Sequence, residues 1–286
     1  MTNFETKSKG PVTFVTFDNM TAGDTAWICL MSDNHFDHPN SREDLEKKHL
    51  DLAKERGAAI LIFGDLFDAM QGRDDPRRLN SLLKEVYKAD NYFDVLVDEA
   101  EKRYSPYAEN LCLIAKGNHE QKVLEKINTD LTQRLVGVLR RINGAKVHAG
   151  ESGGWVRFIF NIQSTVRRSL DLKYQHSGGG GNAPVTKGMI DTNRQAVWLG
   201  RADIVVNGHN HQNYVTAIKR EELNQQGNQI FPLMWFIRTA SYLDGFNTGQ
   251  HGYKFESGPL PQGCVWMEFR CHGDSTISVT ASSDLG

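Results

Sequence analysis

Ala58-Ala59-Ile60-Leu61-Ile62-Phe63-Gly64-Asp65-Leu66-Phe67-Asp68 is the stretch that decides the fold. Six apolar residues stand in a row between Gly57 and Gly64. A run of that length, apolar on both faces, reads as a strand buried on both sides of a sheet. A carboxylate follows directly after Gly64. Open α/β sheets build ligand sites at the carboxyl ends of their strands. Taken alone, Asp65 reads equally well as a cap for a following helix.

Three other runs end the same way. Trp27-Ile28-Cys29-Leu30-Met31 leads through Ser32 to Asp33-Asn34-His35. Leu111-Cys112-Leu113-Ile114-Ala115 leads through Lys116 to Gly117-Asn118-His119-Glu120. Ile204-Val205-Val206-Asn207 leads to Gly208-His209-Asn210-His211. Each short apolar run releases Asp, Asn or His at its end, and helix capping does not explain four such coincidences in one chain.

The bulk properties fit an enzyme-sized α/β protein. The chain has 286 residues, 39% hydrophobic and 24% charged, a balance that suits a soluble globular protein. No apolar run approaches the roughly 18 residues of a spanning helix, so no membrane partner is expected. With no internal repeat and no convincing linker, residues 1–286 read as one domain. Residues 1–10 read as a loose tail without the apolar centre of a secretory signal. Cys29, Cys112, Cys264 and Cys271 form no C-x-x-C pair, and a reducing, cytoplasmic setting is the default. A formal net charge of −2 supplies no global attraction for nucleic acid. Arg77-Arg78, Arg140-Arg141 and Arg167-Arg168 read as solvated surface pairs.

Along the chain, Pro11–Phe17 is strand-like, and a helix from Ser41 to about Arg56 joins the first two site strands into a βαβ unit. Helical spacing recurs at Leu79, Leu82, Leu83 and Val86, then at Phe93, Leu96, Val97 and Ala100. One amphipathic helix is expected from Glu120 to about Arg141. Ala145–Ala149, Trp155–Ile162 and Leu170–Tyr174 read as strands, and Thr186–Leu199 as a helix. Gly72–Pro76 reads as a surface loop overhanging the site. The glycine run 178–181 lacks the Gly-Lys-Ser/Thr of a phosphate loop and reads as loop geometry beside His176. Residues 212–286 read as a β-rich segment that completes a second sheet.

The residues themselves point to a metal centre. Asp33, His35, Asp65, Asn118, His209 and His211 mix imidazole nitrogens with carboxylate and amide oxygens. That mixture suits Mn, Fe, Zn or Ni, not an all-oxygen calcium cage or a thiolate zinc site. Asp33/His35 and His209/His211 are each one residue apart, which in an extended segment puts both side chains on one side. The ligands are too many for one tetrahedral ion, and Asp65 is the natural bridge between two.

Asp33-Asn34-His35, Gly64-Asp65-Leu66-Phe67-Asp68, Gly117-Asn118-His119-Glu120 and Gly208-His209-Asn210-His211 resemble, in order, the D-x-H, G-D-x-x-D, G-N-H-[DE] and G-H-x-H motifs of calcineurin-like metallophosphoesterases. The motifs span residues 33–211. The resemblance implies a four-layer α/β/β/α sandwich with two mixed sheets flanked by helices. It also implies two divalent metal ions, Mn foremost with Fe, Zn or Ni as alternatives. Carried over, Asp33, His35, Asp65 and His211 hold one ion; Asp65, Asn118, His209 and a further histidine hold the other. His148 and His176 compete for that last place. His176 is preferred because it ends a strand beside glycines and lies nearer the final motif. His119 is implied as the residue that protonates the leaving oxygen or stabilises phosphoryl charge, with Asp68 orienting it. Of the remaining histidines, His38 alone borders the site; His49, His251 and His272 read as ordinary surface or core residues.

The activity so implied is hydrolysis of phosphodiesters, with monoesters as a further substrate class, through a hydroxide bridging the metals. The alternative within the family is a DNA or RNA nuclease, because the second motif resembles that of SbcD-type repair exonucleases. Protein phosphatases are disfavoured, since Asp68 is followed by Ala69-Met70 where they carry Arg-Gly. From another class, the alternative is a non-catalytic interaction module on the same fold. The expected partner is a phosphate-ester substrate, nucleic acid among the options. Oligomeric state is not legible.

Overall fold

A computed structural model describes residues 3–69, 85–163, 165–176, 189–244 and 259–286. In chain order the first elements are β1 (Phe4–Lys9), β2 (Val12–Met20), β3 (Thr25–Met31), α1 (Glu43–Arg56) and β4 (Ala59–Phe63). Next come α2 (Tyr92–Tyr104), β5 (Leu111–Ala115), α3 (Asn118–Ile127) and α4 (Leu131–Leu139). Then follow β6 (His148–Gly150), β7 (Gly153–Ile162), β8 (Val166–Gln175), α5 (Met189–Trp198) and β9 (Ile204–Asn207). The later described elements are β10 (Tyr214–Lys219), β11 (Glu222–Leu223), β12 (Gln229–Ile230), β13 (Leu233–Arg238), β14 (Gly263–Cys271) and β15 (Ile277–Leu285).

The fold is α/β with two mixed sheets. One runs β15-β14-β3-β4-β5-β6 and the other β1-β2-β7-β8-β9-β13-β10, with β11 and β12 forming a small ribbon. β3, β4, β5 and β6 are mutually parallel, and β9 is parallel to both β8 and β13. The strands that carry the first three motifs therefore release them at one end of one sheet.

Burial follows the pleat. In β4, Ala59, Leu61 and Phe63 enter the core shared by both sheets, together with Phe17, Phe160, Val206 and Phe269. The alternate residues Ile60 and Ile62 pack with Leu50 of α1, Leu96 of α2 and Leu135 of α4. A strand apolar at every position is thus explained by two apolar neighbours, one on each face. On the outer side of the larger sheet, Val205, Met234 and Phe236 form a smaller cluster with Leu199 and Ala202.

Several expectations are corrected. Residues 1–10, expected as a loose tail, contain β1, which pairs antiparallel with β2 and buries Phe4. The helix expected from Ser41 begins at Glu43; the Ser41 hydroxyl donates instead to the Asn34 carbonyl (3.2 Å). The single helix expected from Glu120 to Arg141 is two. Asn128 ends α3 in the left-handed conformation, and Asp130 starts α4 by accepting from Gln133 N (2.9 Å). Strands after His211 divide between the sheets: β10 and β13 extend the seven-stranded one, β14 and β15 the six-stranded one. Gly72–Pro76, Arg77-Arg78, Leu79–Leu83, the glycine run 178–181, Thr186 and His251 lie outside the described residues. All four cysteines are free and buried. No helix among the described residues is long and apolar enough to cross a membrane.

Candidate metal centre

Four loops, each beginning at a strand end, meet at one place. Asp33 N donates to the Gly64 carbonyl (3.0 Å) and His35 N to the Asp65 carbonyl (3.1 Å), which ties the first motif to the second. His119 N donates to Asp65 Oδ1 (2.9 Å), tying the third to the second. His209 N donates to Asp33 Oδ2 (2.9 Å), tying the fourth to the first. Two glycines permit this crowding. A Cβ on Gly117 would lie 2.1 Å from Asp65 Oδ1, and one on Gly64, where φ is +98°, would lie 2.6 Å from His176 Nδ1.

The side chains gather into three overlapping groups, each with its ligand atoms within 4.8 Å of one another: Asp33, His35 and His211; His35, Asp65 and His119; Asp65, His176 and His209. Asp65 is common to two of them. His176 Nε2 lies 3.0 Å from Asp65 Oδ2 and 4.0 Å from Asp33 Oδ1, and His211 Nε2 lies 3.2 Å from Asp33 Oδ1. Despite this proximity, Asp33 Oδ1, both ring nitrogens of His35, His176 Nε2 and Asn118 Oδ1 make no hydrogen bond of good geometry. Buried nitrogen and oxygen lone pairs that face one another without such a bond are the arrangement a cation would satisfy. The residues present fit one.

The histidine tautomers agree with that fit. His176 Nδ1 lies 2.8 Å from the Phe63 carbonyl, which only accepts, so Nδ1 keeps its proton and Nε2, turned to the acids, is the nitrogen that could bind a cation on giving up its own. His148 differs. Its Nε2 meets Thr6 Oγ1 (3.1 Å), its Nδ1 meets Arg140 Nη2 (2.9 Å), and it belongs to none of the three groups. Of the two histidines in competition, His176 is the one brought to the cluster.

His119 is held at Nδ1 by the backbone carbonyl of Asp68 (2.5 Å), with the Asp68 carboxylate farther off at 3.6 Å. The hydrogen bond expected between Asp68 and His119 is present and runs through the Asp68 main chain. The carboxylate lies instead 3.3 Å from His35 Nδ1, at too oblique an angle for a well-formed hydrogen bond.

Electrostatics divides the cluster. Burial opposes ionisation of Asp33, but His211 and His176 outweigh it and hold Asp33 well below the ordinary carboxylate range. Asp65 is likewise lowered against its burial by His176 and His119. Burial works against a charge on His176, yet Asp65 and Asp33 push its pKa up to about 9. His119 goes the other way, lowered chiefly by burial.

Some structural features of the site escape a reading of the sequence. Asp33, His35, Asp65, His209 and His211 all have positive φ, between 43° and 81°. The two D-x-H and H-x-H pairs are therefore not extended segments, and His209 and His211 fall into different groups. Non-glycine residues at such φ carry strain that surrounding contacts must hold. Glu120 accepts from Gly117 N (2.7 Å), Phe67 N (2.9 Å) and Asp65 N (3.2 Å). Asp37 accepts from Asp68 N (2.6 Å) and Ala69 N (2.9 Å). Ser241 Oγ and Tyr242 N both donate to the Asp33 carbonyl, and the fully buried Arg238 donates Nη1 to the Gly208 carbonyl (3.1 Å). His38 has its Nδ1 on Asn40 N (3.0 Å), and His49 pairs with Tyr242 away from the cluster.

Motif order, placement of the first three motifs at the ends of parallel strands, and convergence of all four on Asp65 and Asp33 are the arrangement that the resemblance to calcineurin-like metallophosphoesterases implies. No family model matches the chain, and no curated protein matches it in sequence. Similar solved structures exist. Calcineurin-like phosphoesterase YfkN from Bacillus subtilis shares 11% identity over 92% of this chain and 91% of its own, with a TM-score of 0.41. GAP50 of Plasmodium, described as the anchor in the inner membrane complex, shares 11% over 91% and 84%, with a TM-score of 0.44. Vps29 of Chaetomium thermophilum shares 10% over 92% and 96%, with a TM-score of 0.34. These are likenesses of general shape and say nothing of the chemistry at this site.

Proposed function

We propose that the chain is a metal-dependent phosphoesterase that hydrolyses phosphodiesters. One observation supports this reading above the others: the cluster of acids and histidines that shares Asp65 holds buried Asp33 Oδ1, both His35 ring nitrogens and His176 Nε2 without a well-formed hydrogen bond. Asp33, His35, Asp65 and His211 would hold one divalent ion, and Asp65, Asn118, His176 and His209 a second. Bound there, such ions supply Lewis acidity toward a phosphoryl oxygen and lower the pKa of water.

The chain's own groups do the rest. His176 would coordinate through Nε2, because the Phe63 carbonyl holds the proton on Nδ1; a cation would displace the proton on Nε2. Asn118 offers a neutral oxygen, so the site keeps positive charge for an anionic ester. His119, fixed at Nδ1 by the Asp68 carbonyl, turns Nε2 toward the cluster, where a proton on it passes to the departing alkoxide. With Nδ1–H held by the Asp68 carbonyl, Nε2 carries a proton only in the imidazolium, a form that burial disfavours, so this step belongs to the acid side of neutrality. The Asp68 carboxylate, 3.3 Å from His35 Nδ1, adds a negative charge beside that ring.

The test is metal content after dialysis against Mn, followed by hydrolysis of an aryl phosphodiester. Bound Mn with turnover lost on chelation is the expected result. Bound Mn with no turnover on any ester would leave a non-catalytic module. No bound metal sinks the proposal. With activity in hand, a panel of single-stranded DNA, duplex DNA, RNA and cyclic nucleotides separates a nuclease from a small-molecule phosphodiesterase.

A further inference from the structure

Glu46 lies in the first turn of α1, on the face that packs against the core, and is fully buried. A carboxylate there is costly unless its oxygens are satisfied. They are: Oε1 accepts from Asn34 Nδ2 (2.7 Å) and from Tyr104 OH (2.5 Å), and Oε2 accepts from Arg103 Nε (2.7 Å). Arg103 reaches on to Glu43 (3.1 Å), so Glu46 joins α1, the end of α2 and the first motif loop.

Asn34 is what makes this more than helix packing. It stands between Asp33 and His35, whose φ values are 52° and 43°. Two left-handed non-glycine residues flanking one position are strained and persist only where neighbours fix them. The Asn34 main chain is held at its carbonyl by Ser41 Oγ (3.2 Å), and its side chain by Glu46. We infer that Glu46 is a positioning residue for the metal ligands of the first loop, acting through Asn34. The inference rests on the metal-centre reading above. An amide at position 46 cannot serve all three donors: whichever way it turns, its NH2 faces either Arg103 Nε or Asn34 Nδ2, donor against donor.

The experiment compares wild type, E46Q and Y107F by calorimetric titration with Mn and by thermal melting of the metal-free protein. Tyr107 donates to Asp51 of α1 (2.6 Å) and touches neither Glu46 nor Asn34 through any hydrogen bond described, so Y107F loosens the same helix without reaching the loop. E46Q should bind Mn 10–100-fold more weakly than wild type, while Y107F lowers the melting temperature and leaves Mn affinity alone. N34A, which cuts the link from its other end, should match E46Q in Mn affinity. Wild-type Mn affinity in E46Q overturns the inference and leaves the phosphoesterase reading intact. Equal losses of affinity in E46Q and Y107F overturn it too, since general loosening of α1 then suffices. A wild-type protein that takes up no Mn removes both.

Discussion

Substituting Gly117 by Ala probes the crowding on which the site is built. Gly117 has φ −102° and ψ −166°, an extended backbone that alanine adopts freely. Any effect therefore comes from the added methyl. That methyl would lie 2.1 Å from Asp65 Oδ1 and 2.3 Å from Asp65 N. Asp65 Oδ1 accepts from His119 N, and Asp65 N donates to Glu120, so neither atom is free to yield alone. Relief requires Asp65 to retreat by about 1 Å, a displacement that costs about 10²-fold when it falls on a reacting constellation. We expect kcat/KM on an aryl phosphodiester to fall at least about 100-fold, Mn affinity to fall about 10–100-fold, and stability to drop about 1–3 kcal/mol from overpacking. Gly137, on the exposed side of α4, is the control: a Cβ there meets nothing within 4 Å. G137A should gain about 0.5–1 kcal/mol in melting experiments and leave metal affinity and turnover alone. Wild-type Mn affinity and kcat/KM in G117A would show that the position of Asp65 does not matter to the chemistry, and the bridging assignment would fail.

Other outcomes can be checked alongside. H176Q should lose more than about tenfold in Mn affinity by calorimetry, whereas H148Q, which gives up contacts to Thr6 and Arg140, should lose about 1 kcal/mol of stability with metal binding unchanged. H119Q should keep its Mn and lose about 10²–10⁴-fold in kcat, with a smaller loss on esters whose leaving alcohol needs no proton; loss of Mn in H119Q would instead make His119 a ligand. Metal-free protein should lose stability as pH rises between about 4.5 and 9. Glu120 is pushed up to about 7, mainly by burial and Asp65, and Asp37 to about 6 by burial and Asp68. His176 stands at about 9 against an ordinary 6.5, because the carboxylates facing it outweigh its burial. All three keep protons in the folded chain that the unfolded chain releases, and such groups stabilise only at the lower pH. His119, lowered by burial, works against the trend near neutrality. A melting temperature in chelator that climbs across this window would refute the charge balance.

The sequence discloses what is local. An acid or histidine directly after a buried apolar run is visible in a dozen residues, which is why Asp33, Asp65, Asn118, His209 and His211 are legible. Even the competition between His148 and His176 turns on a local fact, a strand ending beside glycines. What is hidden is of two kinds. Backbone conformation is one: nothing in Asp33-Asn34-His35 announces positive φ at both ends, and Asn128-Thr129-Asp130 breaks a helix with neither Gly nor Pro. Partnership across long intervals is the other: Glu46 meets Arg103 57 residues away, and Glu120 meets Phe67 53 residues back. A partial signal exists for Glu46, since Leu45, Glu46, His49, Leu50 and Ala53 form the buried stripe of α1. A charged residue on an apolar stripe calls for a partner, though it does not say which.

These hidden anchors share a logic. Loops that carry ligands away from strand ends expose backbone N–H groups that no ladder satisfies. Glu120 takes three of them and Asp37 two, and neither is among the proposed ligands. Using carboxylates for this work adds negative charge to a buried region that already holds Asp33, Asp65 and Asp68. The charges facing these acids are imidazoles, His35, His119, His176 and His211, and the strain shows as raised pKa values at Glu120, Asp37 and His176. An interior so weighted toward anions is stable when cations of higher charge enter it. On the proposed reading, loop anchoring and metal affinity are two consequences of one choice of residue. Neutral anchors would hold the same backbone but weaken the pull on a divalent ion.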